Sequence, residues 1–187
     1  MCHKDWIVYC KNIVAKYGYK KIKWICEGGS TFLESNKKGL DCIINEINKD
    51  DIIVISFGSS PLTPNEDIID SINVAKQYGN GIASKDIDLC TCIKDNEFYS
   101  SKNLIRETIK GFSNPWSFKA GELIEVFKEC EEKGIIKTVE QHTTSLYFAL
   151  NKKIYFSKST TIQTKITSKT DIDVFEGILL KKEKELC

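Results

Sequence analysis

The stretch that decides the fold is residues 26–61, C-E-G-G-S-T-F-L-E-S-N-K-K-G-L-D-C-I-I-N-E-I-N-K-D-D-I-I-V-I-S-F-G-S-S-P. The pair Gly28-Gly29 predicts a tight backbone turn, and Ser30 or Thr31 can cap the helix that follows this turn. One face of the helix is predicted to be buried, because apolar residues recur at helical spacing. They are Leu33, Leu40, Ile44 and Ile47.

A second strong signal is the continuous apolar run at residues 52–57, which lies between polar segments. This pattern is typical of a parallel strand that is covered on both faces. The residues Gly58-Ser59-Ser60-Pro61 follow at its carboxyl end, which is where open α/β sheets bind ligands. None of these four residues carries a charge, so the stretch indicates an architecture more clearly than a chemistry.

Helices and strands are predicted to alternate along the rest of the chain. Asp5 can cap a first helix that ends at Gly18, and residues 20–26 alternate between apolar and polar as a strand does. A helix follows that is opened by a capping box at Thr63-Pro64-Asn65-Glu66 and ended by Gly79, and after it come a strand at 81–87 and a hairpin arm at about 90–112. Pro115 predicts a turn before a helix that is ended by Gly134. The last predicted elements are a helix at 143–150, strands at 153–157 and 162–167, and a helix opened by Ser168 and Asp171. This order predicts one α/β domain over residues 1–187, with a largely parallel sheet.

Composition excludes several function classes. The chain has 41% apolar and 28% charged residues and a net charge of +1, so no global field would recruit nucleic acid or an anionic membrane. No apolar run approaches the roughly 20 residues of a membrane-spanning helix. The residues near Met1 do not resemble a signal peptide, so a cytoplasmic location is expected.

The eight cysteines are predicted to be reduced structural thiols. No C-x-x-C motif occurs, and the nearest pattern is Cys90-Thr91-Cys92, which lacks the spacing of a metal-binding cysteine pair. Only His3 and His142 could serve as additional ligands. No metal site is therefore predicted from spacing.

Several short motifs occur in an order that is familiar from one enzyme family. They are G-G-S-T-F-L-E-S at 28–35 followed by Gly39-Leu40, S-F-G-S-S-P at 56–61, Arg106 in the arm, S-N-P-W-S-F at 113–118, Q-H-T-T-S at 141–145 and Q-T-K-I-T-S-K-T-D at 163–171. Together they resemble the cytidylyltransferases that join CTP to a sugar-alcohol phosphate, namely the methylerythritol phosphate enzymes of isoprenoid synthesis and the ribitol phosphate enzymes of teichoic acid synthesis. The resemblance covers nearly the whole chain.

The resemblance implies a Rossmann-like, three-layer nucleotidyltransferase fold with a mostly parallel sheet and a β-arm. It implies a reaction in which CTP and a sugar-alcohol phosphate give a CDP-alcohol and pyrophosphate, with Mg²⁺ as cofactor, and a homodimer formed through the arm. The positions it assigns are Gly28, Gly29, Thr31 and Ser35 for the nucleotide, Arg106 and Thr91 for the substrate, and Lys165 for catalysis near the phosphates.

Departures from the family pattern predict impaired catalysis. Phe57 stands where the family has its metal-binding aspartate, and Ser60 stands where it has an arginine. Phe32 likewise replaces the arginine of the first motif, and His142 replaces the aspartate of a later T-D-E motif. Nucleotidyl transfer builds up negative charge that cations and a metal must stabilise, so little activity is expected without these groups.

The resemblance also predicts an amino-terminal truncation. The family's glycine-rich basic loop and a lysine in a P-K-Q motif, which hold the CTP phosphates, lie upstream of anything in this sequence. In the family fold, the first two strands lie between the strands that correspond to residues 22–26 and 52–57. Without those two strands, two apolar strand edges would face a gap in the sheet. Three alternatives stay open: another chain fills the gap, the sheet closes by rearrangement, or the product is a marginally stable fragment. The rival functions are a non-catalytic dimerisation or interaction module and a relic fragment.

Overall fold

The computed structural model describes residues 1–160 and 165–185 of the chain. Close contacts group the chain into a first unit, Met1–Asp51 with Lys119–Ile154, and a second unit, Ile52–Phe118 with Tyr155–Cys187. Helices and strands alternate through most of the sequence, so the predicted α/β class is confirmed. None of the helices in the described residues combines the length and the apolar character that crossing a bilayer requires.

The first unit is helical. Its α-helices are α1 (Ile7–Tyr17), α2 (Phe32–Ile43), α4 (Ala120–Glu132) and α5 (Thr143–Ala149), with 3₁₀ turns at Lys4–Trp6 and Ile44–Glu46. As predicted, α1 stops at Gly18, whose φ of 63° is left-handed and suits glycine. The core of this unit is formed by Leu33, Leu40, Leu123, Val126, Phe127, Leu146 and Tyr147.

The strand predicted over residues 20–26 is wrong. Within the described residues, this part of the chain makes one isolated parallel bridge, between Cys2 and Glu27. A strand needs a continuous ladder of backbone partners, and here only residues 26–28 find them, through Cys2. Ile22 and Trp24 consequently remain 46% and 36% exposed.

The second unit contains the sheet. Its elements are β1 (Ile52–Ile55), α3 (Asn65–Tyr78), β2 (Asn80–Asp86), β3 (Thr91–Ile93), β4 (Lys102–Leu104), a 3₁₀ turn at Arg106–Thr108, β5 (Lys110–Lys119), β6 (Phe156–Ser157) and α6 (Lys169–Glu185). The strand order is β1-β5-β2-β6, in which β2 is antiparallel to β5 and parallel to β6. The predicted arm is confirmed as the antiparallel pair β3–β4.

Strand β1 is less buried than its all-apolar sequence predicts. Each of its four residues is half-buried, although a strand covered on both faces was expected. The reason is its place in the strand order, because in the part of the chain that the structure describes β1 lies at the edge of the sheet, next to β5 alone.

Two local predictions, the cap of α3 and the turn at Pro115, are wrong. Thr63 does not cap α3; its hydroxyl donates to the Ser60 carbonyl at 2.8 Å, and Pro64 occupies the N-cap position without a side-chain bond. Pro115 lies inside β5, preceded by a cis peptide bond, and not in a turn before α4. It lies where the register between β2 and β5 shifts opposite Ala83, and a bulge tolerates a residue without a backbone donor.

The start of α6 follows the prediction. The Asp171 carboxylate accepts hydrogen bonds from the backbone amides of Thr167 and Ser168, at 2.8 and 2.7 Å. These bonds, the first of them from Thr167, lower the pKa of Asp171 to about 2. The strand predicted over residues 162–167 lies partly outside the described residues.

Candidate functional site

The turn before α2 and the first turn of that helix hold the four residues assigned to the nucleotide. Thr31 is the N-cap of α2, and its hydroxyl accepts the Glu34 amide at 3.1 Å. The Glu34 carboxylate reaches back to the Ser30 amide and hydroxyl, at 2.7 and 2.6 Å. Hydrogen bonding by the Ser30 hydroxyl is the main reason that the pKa of Glu34 is lowered. These reciprocal bonds fix the beginning of the helix.

The hydroxyl of Ser35, in the first turn of α2, holds the preceding turn through hydrogen bonds. Its hydroxyl accepts the Gly29 amide at 2.9 Å and donates to the Thr31 carbonyl at 2.8 Å. A Cβ atom on Gly28 would lie 3.0 Å from this hydroxyl oxygen, and one on Gly29 would lie 2.4 Å from Cγ of Glu34. An added Cβ atom would therefore be crowded at Gly28 and would overlap the Glu34 side chain at Gly29. The four predicted residues form one connected arrangement.

A second segment of the first unit packs against this turn. The Thr31 hydroxyl donates to the Gln141 side-chain oxygen at 3.0 Å, and the Leu33 amide donates to the Gln141 carbonyl at 3.1 Å. Asn36 donates to the Thr143 hydroxyl at 3.0 Å, and both residues are buried. Sequence reasoning missed the role of Gln141, because its partners lie about a hundred residues away in the chain.

The two residues that break the family pattern in this unit are neighbours. The rings of Phe32 and His142 lie 5.6 Å apart, centroid to centroid, in a tilted arrangement. The resemblance places an arginine and an aspartate at these positions, a pair of opposite charge. The two departures from the family pattern in this unit therefore lie at positions whose side chains are in contact in this chain.

This contact predicts energetic coupling between the two positions. Phe32→Arg and His142→Asp are each expected to destabilise the protein, because each loses the ring contact. The double variant Phe32→Arg/His142→Asp should recover about 0.5–1 kcal/mol relative to the sum of the two, since it restores opposite charges. Urea denaturation of the four proteins measures this cycle. Phe32→Arg combined with His3→Asp is the control and should be additive; equal additivity in both cycles would contradict the prediction.

In the second unit, the loop after β1 is held by Asn114. The Asn114 side-chain oxygen accepts the Phe57 amide at 2.8 Å, and its amide nitrogen donates to Ser56 and Thr63 hydroxyls at 3.2 and 2.6 Å. Asn114 is 2% exposed. The Phe57 ring meets the Trp116 ring edge to face at 5.2 Å. Sequence reasoning recognised the motif that contains Asn114 but not this role.

The residues present at this loop do not fit a divalent metal ion. Mg²⁺ requires carboxylate or other oxygen ligands, and the position assigned to the metal carries the aromatic side chain of Phe57. Across residues 1–160 and 165–185, no three His, Cys, Asp or Glu side chains are grouped so that they could hold a metal ion.

The remaining predicted residues also lie in the second unit. Lys165 is exposed, and the amide of the next residue, Ile166, donates to the Ser59 carbonyl at 2.7 Å, which ties this segment to the loop after β1. Arg106 contacts the Glu107 carboxylate at 3.2 Å and the Asp88 carbonyl at 3.3 Å, within the arm. Thr91 begins β3, and its buried hydroxyl has no hydrogen-bond partner among the described residues.

Two further hydroxyls, one on β2 and one on β6, are buried without a partner among the described residues, and sequence reasoning missed both. Ser84 and Ser157 are 8% and 7% exposed, and neither hydroxyl has a hydrogen-bond partner in the described part of the chain. They lie near the carboxyl ends of the parallel strands β2 and β6, where Ala83 pairs with Ser157. A buried hydroxyl without a partner costs free energy unless something else satisfies it. The only sequence signal was a serine inside each predicted strand.

We expect Ser84→Ala to make the protein more stable by about 1 kcal/mol, because it removes a buried polar group without a partner. The matched control is Ser71→Ala. The Ser71 hydroxyl lies 2.8 Å from the Ser117 hydroxyl in the same unit, so its loss should be destabilising by about 1 kcal/mol. Chemical denaturation distinguishes the two, and a destabilised Ser84→Ala variant would show that its hydroxyl is already satisfied.

Comparisons with known proteins agree on one family. The chain is 26% identical over 183 residues to ribitol-5-phosphate cytidylyltransferase from Lacticaseibacillus paracasei, covering 98% of this chain and 78% of that protein. It is 28% identical over 178 residues to 2-C-methyl-D-erythritol 4-phosphate cytidylyltransferase from Clostridium novyi, covering 94% and 74% of the two chains. No family model matches the sequence.

The fold is also shared with solved structures. The crystal structure of 4-diphosphocytidyl-2C-methyl-D-erythritol synthase from Anaerococcus prevotii gives a TM-score of 0.77 at 16% identity, over 95% of this chain and 78% of that one. That of 2-C-methyl-D-erythritol 4-phosphate cytidylyltransferase from Francisella tularensis gives 0.72 at 21% identity, over 84% and 73%. The nucleotidyltransferase-type fold expected from the sequence motifs is therefore confirmed.

Proposed function

Since the chain belongs to the family of sugar-alcohol-phosphate cytidylyltransferases, we propose that it binds a cytidine nucleotide at the Gly28–Ser35 turn and has little or no transferase activity. The family reaction would join CTP and a sugar-alcohol phosphate into a CDP-alcohol and pyrophosphate. The chain would keep the nucleotide-recognising part of this function and lack the part that stabilises the transferred phosphate.

The observation that carries the proposal is the bonding around Ser35. Its hydroxyl joins the Gly29 amide to the Thr31 carbonyl, so the turn has a defined shape before any ligand arrives. A preorganised turn at the start of α2 suits recognition of a small polar ligand, because no ordering cost is left for binding. The hydroxyl of Thr31, the N-cap, also donates a hydrogen bond to the side-chain oxygen of Gln141.

We expect weak nucleotidyl transfer because of the side chains at and around position 57. The aromatic ring packs against Trp116 and the nearby Ser60 is buried, so position 57 offers no carboxylate and position 60 offers no cation. Removing a single preorganised electrostatic group typically lowers a rate by roughly a hundred- to thousandfold. Lys165 and Arg106 are the cations that remain as candidates for phosphate contact, with Thr91 as a further substrate contact; Mg²⁺ would need a carboxylate that this loop does not offer.

The test is calorimetric titration of the purified chain with CMP and CTP, each with and without Mg²⁺. We expect binding that does not depend on Mg²⁺, and at least a tenfold loss of affinity in Ser35→Ala. Ser101→Ala, an exposed serine in the arm, is the matched control and should bind as the parent does. A folded protein that binds neither nucleotide would refute the proposal.

We also expect that Phe57→Asp combined with Ser60→Arg does not produce transferase activity. The double variant restores one metal ligand and one cation, but the family's glycine-rich phosphate loop has no counterpart in residues 1–187. Pyrophosphate release from CTP with ribitol phosphate or methylerythritol phosphate measures this. Turnover clearly above that of the unmodified chain would contradict the prediction.

A second candidate function is assembly through the arm, as a homodimer. The observation that favours it is a set of large apolar side chains exposed on the arm and just before it. They are Leu89 (74% exposed), Phe98 (94%), Tyr99 (64%) and Ile105 (63%). Sedimentation equilibrium should then give a dimer that Phe98→Glu dissociates, and a monomer at all concentrations would exclude this role.

A further inference from the structure

Residues 6–24 of the first unit form a segment whose charge differs from that of the chain as a whole. The segment contains five lysines, no aspartate or glutamate, and five tyrosine and tryptophan residues. The lysines are Lys11, Lys16, Lys20, Lys21 and Lys23, and each of them is exposed. Because the net charge of the whole chain is only +1, the rest of the chain is net negative, and the segment is a local source of positive potential.

Aromatic rings of the segment lie along one face of α1. Trp6 is the N-cap of this helix, and its ring meets the ring of Tyr9 edge to face at 5.4 Å. At the other end of the helix, the ring of Tyr17 stacks on that of Tyr19, with centroids 5.8 Å apart and planes inclined by 21°. Positions 6, 9 and 17 fall within an arc of about 80° around an α-helix, so the two pairs share a face that is about 16 Å long.

These rings are open to solvent, and a lysine lies beside them. Each of four residues is more than half exposed, namely Trp6, Tyr9, Tyr17 and Tyr19. The Lys16 ammonium group lies 5.3 Å from the centroid of the Tyr17 ring. The face therefore presents flat aromatic surface and positive charge together.

The carboxylates nearest in sequence border the segment and do not interrupt it. Asp5 precedes the segment and lies 3.3 Å from His3, and Glu27 follows it. Glu46 accepts a hydrogen bond from the indole nitrogen of Trp24 at 2.8 Å. Since Trp24 is held by this carboxylate, the four rings on α1 and at its end carry the inference.

This combination suits single-stranded nucleic acid better than other anionic partners. Unpaired bases stack on exposed aromatic rings, and lysines neutralise the phosphates between them. A duplex offers fewer free base faces, because its bases already stack on one another. A lipid surface requires aliphatic side chains that project from the helix, and the aliphatic residue on this face of α1, Ile13, is half-buried.

We propose that residues 6–24 form a binding surface for single-stranded nucleic acid, in which bases stack on the four exposed rings and the lysines contact phosphates. Recognition does not depend on base identity, because every base has an aromatic face and a lysine contacts only phosphate charge. The surface is distinct in sequence from the turn at residues 28–35, so this proposal does not rest on nucleotide binding at that turn.

Fluorescence anisotropy of a labelled oligothymidylate of about 20 nucleotides, titrated with the full chain, tests the proposal. This probe contains no cytosine, so it does not report on the proposed cytidine site, and excess CMP should leave its binding unchanged. We expect the logarithm of the binding constant to fall against the logarithm of the salt concentration with a slope of about −2 to −3.5, as three to five phosphate contacts require. The duplex with oligoadenylate should bind at least about tenfold more weakly.

The aromatic contribution is tested by Tyr19→Ala, which removes one exposed stacking ring. We expect it to weaken binding at least about fivefold. The matched control is Tyr78→Ala in the second unit, where the Tyr78 ring stacks on that of Tyr155 at 4.5 Å. The control loses a similar ring contact and should bind the probe as the parent chain does.

The lysine contribution is tested by Lys20→Gln combined with Lys21→Gln. Loss of two phosphate contacts should make the salt slope shallower by about 1.4. Lys181→Gln combined with Lys182→Gln removes two exposed charges from α6 and should leave the slope unchanged.

Three results would overturn the proposal. The first is a folded parent chain that does not bind the oligothymidylate, or that binds it equally well as Tyr19→Ala. The second is polyglutamate binding as tight as that of the probe, because a polyanion without rings cannot stack. The third is tighter binding to phosphatidylglycerol vesicles than to the probe, which would identify a lipid surface instead.

Discussion

Replacing Gly81 by alanine is expected to destabilise the protein by on the order of 3 kcal/mol, because β2 and α3 approach each other too closely for a side chain. A Cβ atom at this position would lie 2.3 Å from the Ser71 carbonyl oxygen and 3.0 Å from the Ala75 amide nitrogen. Both are backbone atoms of a helix, so the strand and the helix would have to separate. This would also strain the contact between the Ser71 and Ser117 hydroxyls, since Ser117 pairs with Gly81 across the sheet.

Gly111 provides the matched control for this substitution. It lies in β5, opposite Lys85 in the same ladder, and a Cβ atom there would meet nothing closer than 3.8 Å. Gly111→Ala should therefore leave stability within about 0.5 kcal/mol of the parent or raise it slightly, through the unfolded state. Urea denaturation followed by circular dichroism compares the two. Similar effects at both positions would mean that the loss of glycine itself, and not the contact with α3, is responsible.

Asn114→Ala is expected to be the second large effect, a loss of about 3 kcal/mol. The substitution removes three hydrogen bonds and leaves the Phe57 amide and the Thr63 hydroxyl without this partner. The loop that follows β1 should then open locally, because its bond to Asn114 anchors its first residue. Hydrogen exchange at the Phe57 amide should be faster by an order of magnitude or more, in addition to the lower stability.

Asn103 is the control for that variant. It is exposed in β4 of the arm, and Asn103→Ala should change neither the free energy of unfolding beyond about 0.5 kcal/mol nor the exchange of the Phe57 amide. If Asn114→Ala lowered global stability but left Phe57 protected, the loop would be held by other contacts. The proposed organising role of Asn114 would then be wrong.

These predictions bear on function because Asn114 positions the loop in which the family pattern is broken. Phe57 and Ser60 sit in an ordered loop that is anchored at both ends, by Asn114 and by the hydrogen bonds of Thr63 to the Ser60 carbonyl. Both contacts are made by groups of the chain itself, so they hold this loop without any bound ion.

Short-range signals were enough for much of this protein. The turn and cap before α2, the glycines that end α1 and α3, the hairpin arm and the start of α6 were all predicted, because each depends on interactions within a few residues. The family resemblance likewise came from sequence alone, since motif order survives where identity is low. The α/β class followed from the alternation of these elements.

Tertiary structure decided the features whose partners are far apart in the chain. Among residues 1–160 and 165–185, residues 20–25 have a strand pattern but no neighbouring strand to complete a ladder, and β1 is half-buried at an edge of the sheet. Asn114 reaches Phe57 across 57 residues, and Thr31 reaches Gln141 across 110. No local pattern encodes such bonds, because a side chain's partner is set by how the whole chain packs. The sequence by itself determined most of the helices, the turn before α2 and the family resemblance, because these depend on local patterns and on motif order. Packing determined which distant residues hold that turn and the loop after β1.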